Sequence, residues 1–138
     1  MADIEAAAAD VIDVSMRIHR ELGPGLLESV YETVLATKLA RLGYRVARQV
    51  PVSFSFEDMV FDGAFRIDLL VEDTLLVEIK SVNRFNAAHL KQLLTYLRLT
   101  KQPLGLLVNF GGATLREGLR RVVNGHEPFA SSRLRVNK

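Results

Sequence analysis

The chain has no cysteine among its 138 residues, which excludes disulfide cross-links, thiolate zinc sites and a thiol nucleophile, and which fits a reducing compartment. A long apolar run is missing too. No stretch approaches the ~20 residues that a bilayer-spanning helix needs, and Met1-Ala2-Asp3-Ile4-Glu5 is acidic where a secretory leader is basic. The expected location is the cytoplasm, with no membrane partner. Charge of one sign is also scarce, because the formal balance is only +2 with a pI near 9.2. So small a balance does not by itself point to nucleic acid. The basic residues gather late, at Arg116, Arg120, Arg121, Arg133, Arg135 and Lys138, which fits either a solvated helix face with a frayed end or a polyanion-binding patch. There is no internal repeat, and the only biased segment is the helix-favouring Ala6–Ala9 run.

What is present describes an ordinary globular chain, with 49% hydrophobic and 25% charged residues and a length that suits one domain with a buried core. The expected organisation is a single domain over 1–138, with 125–138 a peripheral or flexible tail. Ile4, Val11 and Ile18, flanked by Ala8, Ser15 and Leu22, recur at helical spacing and predict a first helix that Gly23-Pro24-Gly25 ends. A second helix is predicted from about Leu27 to Leu42, with Tyr31, Leu35, Leu39 and Leu42 inward and Gly43 as its cap. Val46, Val50, Val52, Phe54 and Phe56 share one parity of a strand, which Pro51 marks as an edge strand or a bulged one. A turn at Glu57-Asp58 leads to a second strand over roughly Ala64 to Val71, and Glu72-Asp73-Thr74 turns it into a third, Leu75 to Lys80. Asn86 is placed to cap a third helix with a Leu90, Leu93, Leu94, Leu97 stripe, stopped near Lys101-Gln102-Pro103. Leu104 to Phe110 reads as a strand covered on both faces, and Gly111-Gly112 then leads to a predicted last helix near Leu115 to Val123. The fold class is α/β, a mixed central sheet flanked by helices.

The chemistry concentrates on the second and third strands. Side chains alternate along a strand, so Glu78 and Lys80 share one face, as do Arg66 and Asp68 against Phe65, Ile67, Leu69 and Val71. A three-residue loop pairs Val71 with Leu75 and so places Asp68 opposite Glu78. Facing carboxylates repel, and a hard divalent cation between them is the natural remedy. Magnesium takes one or two carboxylates plus phosphate oxygens and water, and Lys80 is then placed to manage an attacking water or charge on a phosphate. The same residues also fit a solvated charged face with Lys80 in a cross-strand pair. Glu28 stands on the flank of the second helix's buried stripe, either as a site acid or as a helix-start glutamate favoured by the macrodipole. His89, Gln92 and Tyr96 form a polar stripe on the third helix, facing the site or solvent. His19 reads either as a polar residue of the first helix or as a site residue.

These motifs carry a resemblance. Gly25-Leu26-Leu27-Glu28-Ser29-Val30-Tyr31, the His19 to Gly25 run, Phe65 to Leu70 and Val77-Glu78-Ile79-Lys80 resemble the GxxExxY protein family, a branch of the PD-(D/E)xK nuclease superfamily, over about Ile12 to Val123. Ile67 stands where the motif has proline. The resemblance implies a restriction-endonuclease-like core and hydrolysis of phosphodiester bonds in DNA or another nucleic acid. It implies Mg2+ or Mn2+ held by Asp68, Glu78 and the Ile79 carbonyl, with Glu28 in support of the metal. Lys80 would be catalytic, and the Gln92 and Tyr96 pair would position it or the sugar-phosphate backbone. Arg66 joins Lys80, Gln92 and Tyr96 as a candidate nucleic-acid contact. A core this small leaves little protein for substrate selection, which makes a homo-oligomer or a partner one source of specificity. The alternatives are a non-hydrolytic nucleic-acid-binding or assembly module of the same fold, and a toxin-like or defence component that depends on a partner.

Overall fold

The computed structural model describes residues 3–84 and 86–125. Arg133, Arg135, Lys138 and all but the first residue of the expected 125–138 tail lie outside the described residues. In chain order the elements are α1 (Ile4–Leu22), α2 (Glu28–Arg41), β1 (Val46–Phe56), β2 (Met59–Val71), β3 (Leu75–Lys80), α3 (Ala87–Thr100), β4 (Leu104–Asn109), a 3-10 turn (Arg116–Gly118) and β5 (Leu119–Val123). The five strands lie in the order β1-β2-β3-β4-β5. Only β3 and β4 run parallel, joined by the α3 crossover, so the sheet is mixed as expected and β1 lies at its edge. Among the described residues, no helix is long and apolar enough to cross a membrane.

Local chemistry sets the element ends. Asp3 caps α1 by accepting the Glu5 N–H at 2.9 Å, and Asn86 caps α3 by accepting the Ala88 N–H at 2.8 Å. Lys101, in the left-handed region, closes α3, and Gly43 at φ +102° follows α2. One core lies between the sheet and the pair α1 and α2, where Val11, Ile18, Tyr31, Leu35 and Leu39 meet Leu69, Val71, Leu75, Val77, Ile79, Leu106 and Val108. A second lies under α3, where Leu93 and Leu97 meet Ile67, Leu76 and Leu107, with Val50, Val52 and Phe65 packed against them.

Several expectations are corrected. The last element is not a helix over Leu115 to Val123 but a 3-10 turn and a strand. β5 satisfies the far edge of β4, which would otherwise carry unpaired backbone groups. Its apolar residues do not alternate because Leu119 serves the first core and Val122 the second. β2 begins at Met59, not Ala64. Asp62-Gly63 bends the ribbon without ending it, with Gly63 at φ +56°, its N–H donated to Ser53 Oγ at 2.9 Å and the register shifted between Val52 and Phe54. Leu42, expected inward on the second helix, is exposed, as are Leu22 and Phe56 at the ends of the predicted apolar patterns.

The largest correction concerns faces. Phe65 and Ile67 belong to the α3 core, whereas Leu69 and Val71 belong to the α1/α2 core, so β2 does not keep one face inward along its length. Its partner changes in step, with Val46 in the first core and Val50 in the second. The β1–β2 ribbon therefore rolls over at Gln49 and Asp68. The register is the same on either side, with Arg48 opposite Leu69 and Val50 opposite Ile67.

Candidate active site

The β2–β3 turn places Glu72 and Asp73 in the left-handed region, and the Thr74 N–H returns to the Val71 carbonyl at 3.1 Å. That turn sets Val71 opposite Leu75, Leu70 opposite Leu76 and Leu69 opposite Val77. One step further, Asp68 meets Glu78, and there side chains replace the backbone ladder. The Asp68 N–H donates to Glu78 Oε2 at 3.0 Å, and the Ile79 N–H donates to Asp68 Oδ2 at 2.8 Å. Each carboxylate thus accepts the backbone N–H that the other strand presents, and the expected pairing of the two acids holds.

The electrostatics are those of two acids crowded out of water. Glu78 is 6% exposed, and burial, followed by the charge of Asp68, pushes its carboxyl up to about 8. Burial raises Asp68 as well, against the opposing pull of the Ile79 N–H and the Gln49 amide. Lys80, half-buried at the end of β3, lowers both acids by its charge. Tyr96 of α3 is stacked on Phe65 with ring centroids 3.9 Å apart, and its hydroxyl is raised by burial and then by Glu78 and Asp68. Asp68, Glu78, Lys80 and Tyr96 therefore share one electrostatic environment.

The N-terminal motif reaches the same place through backbone ties. Glu28, the first residue of α2, accepts the Ser81 N–H at 3.3 Å, and Ser81 Oγ donates to the Leu26 carbonyl at 2.6 Å. Tyr31 is fully buried, where its hydroxyl donates to the Gly23 carbonyl at 2.5 Å and accepts the Leu26 N–H at 3.1 Å. Its ring stacks on Phe110 with centroids 4.3 Å apart. The spacing of Gly25, Glu28 and Tyr31 thus docks the start of α2 onto the residue after Lys80, and the charge of Glu28 is felt at Glu78.

Other candidates stand apart. Gln92 is exposed on α3, and His89 accepts the Asn86 N–H through Nδ1 at 3.4 Å within the cap of that helix. Arg66 follows the roll of the ribbon. It lies between Phe65 and Ile67, which face the α3 core, and neither carboxylate has it as a hydrogen-bond partner, so it does not share the face of Asp68 as expected. His19 is buried, its Nε2 2.9 Å from the Gly112 carbonyl, where it ties α1 to the loop after β4.

Two further residues that spacing alone does not single out are joined to Asp68. Glu32 is 6% exposed and accepts from Arg48 Nε at 3.1 Å and from Gln49 Nε2 at 2.6 Å. Gln49 Nε2 also donates to Asp68 Oδ1 at 3.2 Å. Glu32 stands one helical turn after Glu28, and Arg48 breaks the apolar parity of Val46 and Val50. Those are the signals that could have found this network. On the α3 side of the sheet, Glu78 opposes Leu107, which opposes Arg120. Beyond it opens a cavity of about 380 Å³ lined by Arg84, Arg120, Asn83, Asn109 and Glu117 among others.

Among the described residues, no three His, Cys, Asp or Glu side chains gather as a metal cage. The two carboxylates that do meet, Asp68 and Glu78, have the chemistry that suits a hard ion such as magnesium, which keeps most of its shell as water and phosphate oxygen. A mixed sheet with a hairpin of acids, a lysine at the end of the hairpin's second strand and helices on both faces defines a nuclease-like core. A model of the PD-(D/E)XK nuclease superfamily matches residues 5–122, and the chain belongs to that superfamily. No curated protein matches it.

Proposed function

We propose that the protein is a Mg2+- or Mn2+-dependent nuclease that hydrolyses phosphodiester bonds of nucleic acid, with DNA as the substrate class, and that it belongs to the GxxExxY branch of its superfamily. The observation that carries this reading is the reciprocal bonding of Asp68 and Glu78 across β2 and β3, which holds two mutually repelling acids together. Asp68, Glu78 and the Ile79 carbonyl would hold the ion, with Glu28 in support. When bound, it polarises the phosphate and acidifies water.

The chain's own residues account for the remaining steps. Lys80, whose charge acts on both acids, orients the attacking water and stabilises charge gathering on the phosphate. The water oxygen bonds to phosphorus as the bond to the leaving ester oxygen breaks, the water's proton passing to solvent and the leaving oxygen taking one from solvent. Tyr96, with its hydroxyl toward the acids, orients the phosphate, and Gln92 one helical turn earlier contacts the strand. Arg84 and Arg120 at the neighbouring cavity add positive charge on the same side of the sheet.

The test incubates the protein with supercoiled, linear and single-stranded DNA and manganese or magnesium, beside Lys80→Ala and Asp68→Ala. Cleavage by the parent with a loss of at least about 100-fold in both variants is expected. Equal cleavage by all three would assign the activity to a contaminant.

A further inference from the structure

We propose that Gln49 is a positioning residue for the reaction, which fixes the Asp68 carboxylate by bridging it to the buried Glu32. This inference rests on the nuclease reading above. It begins from Glu32, a carboxylate with almost no access to water that must find donors inside the protein. Oε2 takes Arg48 Nε, in an ion pair at 3.1 Å, and Oε1 takes Gln49 Nε2 at 2.6 Å. Arg48 is itself held by Thr33 Oγ1 at 2.9 Å, so α2 and β1 form a rigid mount. The second N–H of the Gln49 amide goes to Asp68 Oδ1 at 3.2 Å, while Asp68 Oδ2 takes the Ile79 N–H. Asp68 is thereby gripped at both oxygens, from β1 on one side and from β3 on the other.

The backbone supports the same assignment. Gln49 has φ +49°, a left-handed conformation that a side chain with a Cβ rarely adopts. Strain of that kind persists where the surroundings require it, often at functional sites. Here it lies at the point where the β1–β2 ribbon rolls from one core to the other, and it turns the side chain toward Asp68. The residue type matters as well. An amide donates to two carboxylates without adding charge, so no fixed positive group at this position competes with a cation for Asp68. A lysine or arginine in the same place would neutralise that carboxylate.

Two variants test the assignment. Gln49→Gly removes the amide and relieves the left-handed backbone, and Gln49→Met keeps the bulk without a donor. Each is assayed for kcat and KM on DNA, for Mn2+ affinity by electron paramagnetic resonance, and for Tm. Gln49→Gly loses the Glu32 bond but sheds the left-handed strain, so Tm should fall by only a few degrees, while kcat falls by about 10-fold or more and Mn2+ binds about 10-fold more weakly, with KM for DNA nearly unchanged. Gln49→Met should share both losses, and it carries the comparison alone should the glycine variant fail to fold. Parental kcat and Mn2+ affinity in the variants would overturn the positioning role and leave the nuclease reading standing. A parent protein that neither binds Mn2+ nor cleaves, indistinguishable from Asp68→Ala, would overturn both.

Discussion

Replacing Glu78 by glutamine should make the metal-free protein more stable at alkaline pH and inactive at every pH. Burial and the neighbouring Asp68 raise the Glu78 carboxyl from its ordinary 4.5 to about 8. The folded protein therefore retains a proton that the unfolded chain releases, and folding takes up that proton between those two values. Stability from this group is whole below about pH 4.5 and falls as pH rises, until the loss is complete above about pH 8. At ~1.36 kcal/mol for each tenfold change in proton affinity, the loss is on the order of 5 kcal/mol. Glu78→Gln keeps an oxygen that can accept the Asp68 N–H and cannot ionise. In urea unfolding with chelator present, the two proteins should differ little near pH 5 and diverge toward pH 9, with the variant ahead. Manganese should then narrow the alkaline gap by about half, because at a hundredfold excess over Kd it stabilises the parent by about 2.7 kcal/mol and leaves the variant unmoved. A gap that stays constant from pH 5 to pH 9 would show that Glu78 titrates as a surface glutamate, and the argument from burial would fall.

Three other outcomes follow from the same geometry. Tyr31→Phe leaves the Gly23 carbonyl and the Leu26 N–H without their buried partner, which should cost about 1–3 kcal/mol in chemical denaturation; an unchanged midpoint would contradict it. Gly111→Ala would drive a Cβ into the Val82 carbonyl, and a loss of about 3 kcal/mol or failure to express folded protein is expected; a soluble variant of parental stability would refute that packing. Arg84→Ala, measured by fluorescence anisotropy on DNA with calcium in place of magnesium, should weaken binding and lower the slope of log affinity against log salt by about 1; an unaltered slope would remove the cavity from the interface.

The hairpin that carries the acids is legible in the sequence because its register depends only on local features, a short turn and strict alternation from Leu69 to Lys80. The start of α3 is legible for the same reason, since Asn86 acts within a few residues. What spacing misses is set by distant neighbours. β5 is a strand because β4 needs a partner on its far edge, and nothing between Leu119 and Val123 announces it. Arg66 loses its place beside Asp68 because the ribbon rolls between two cores, an event that parity counting along one strand cannot register. Glu32 and Gln49 matter through each other and through Asp68, at separations of 17 and 19 residues, so neither has a local signature beyond a polar residue among apolar ones.

The roll of the β1–β2 ribbon also guards the alignment of the acids. A strand with one buried face can slip by two residues and still present oily side chains inward. Here such a slip would set side chains of the distal half against the partners of the proximal half and damage both packing layers together. The facing of Asp68 and Glu78 is thus locked by two independent tests of fit, and an insertion or deletion between Val46 and Val52 or between Phe65 and Val71 should be far less tolerated than one at the exposed hairpin tip.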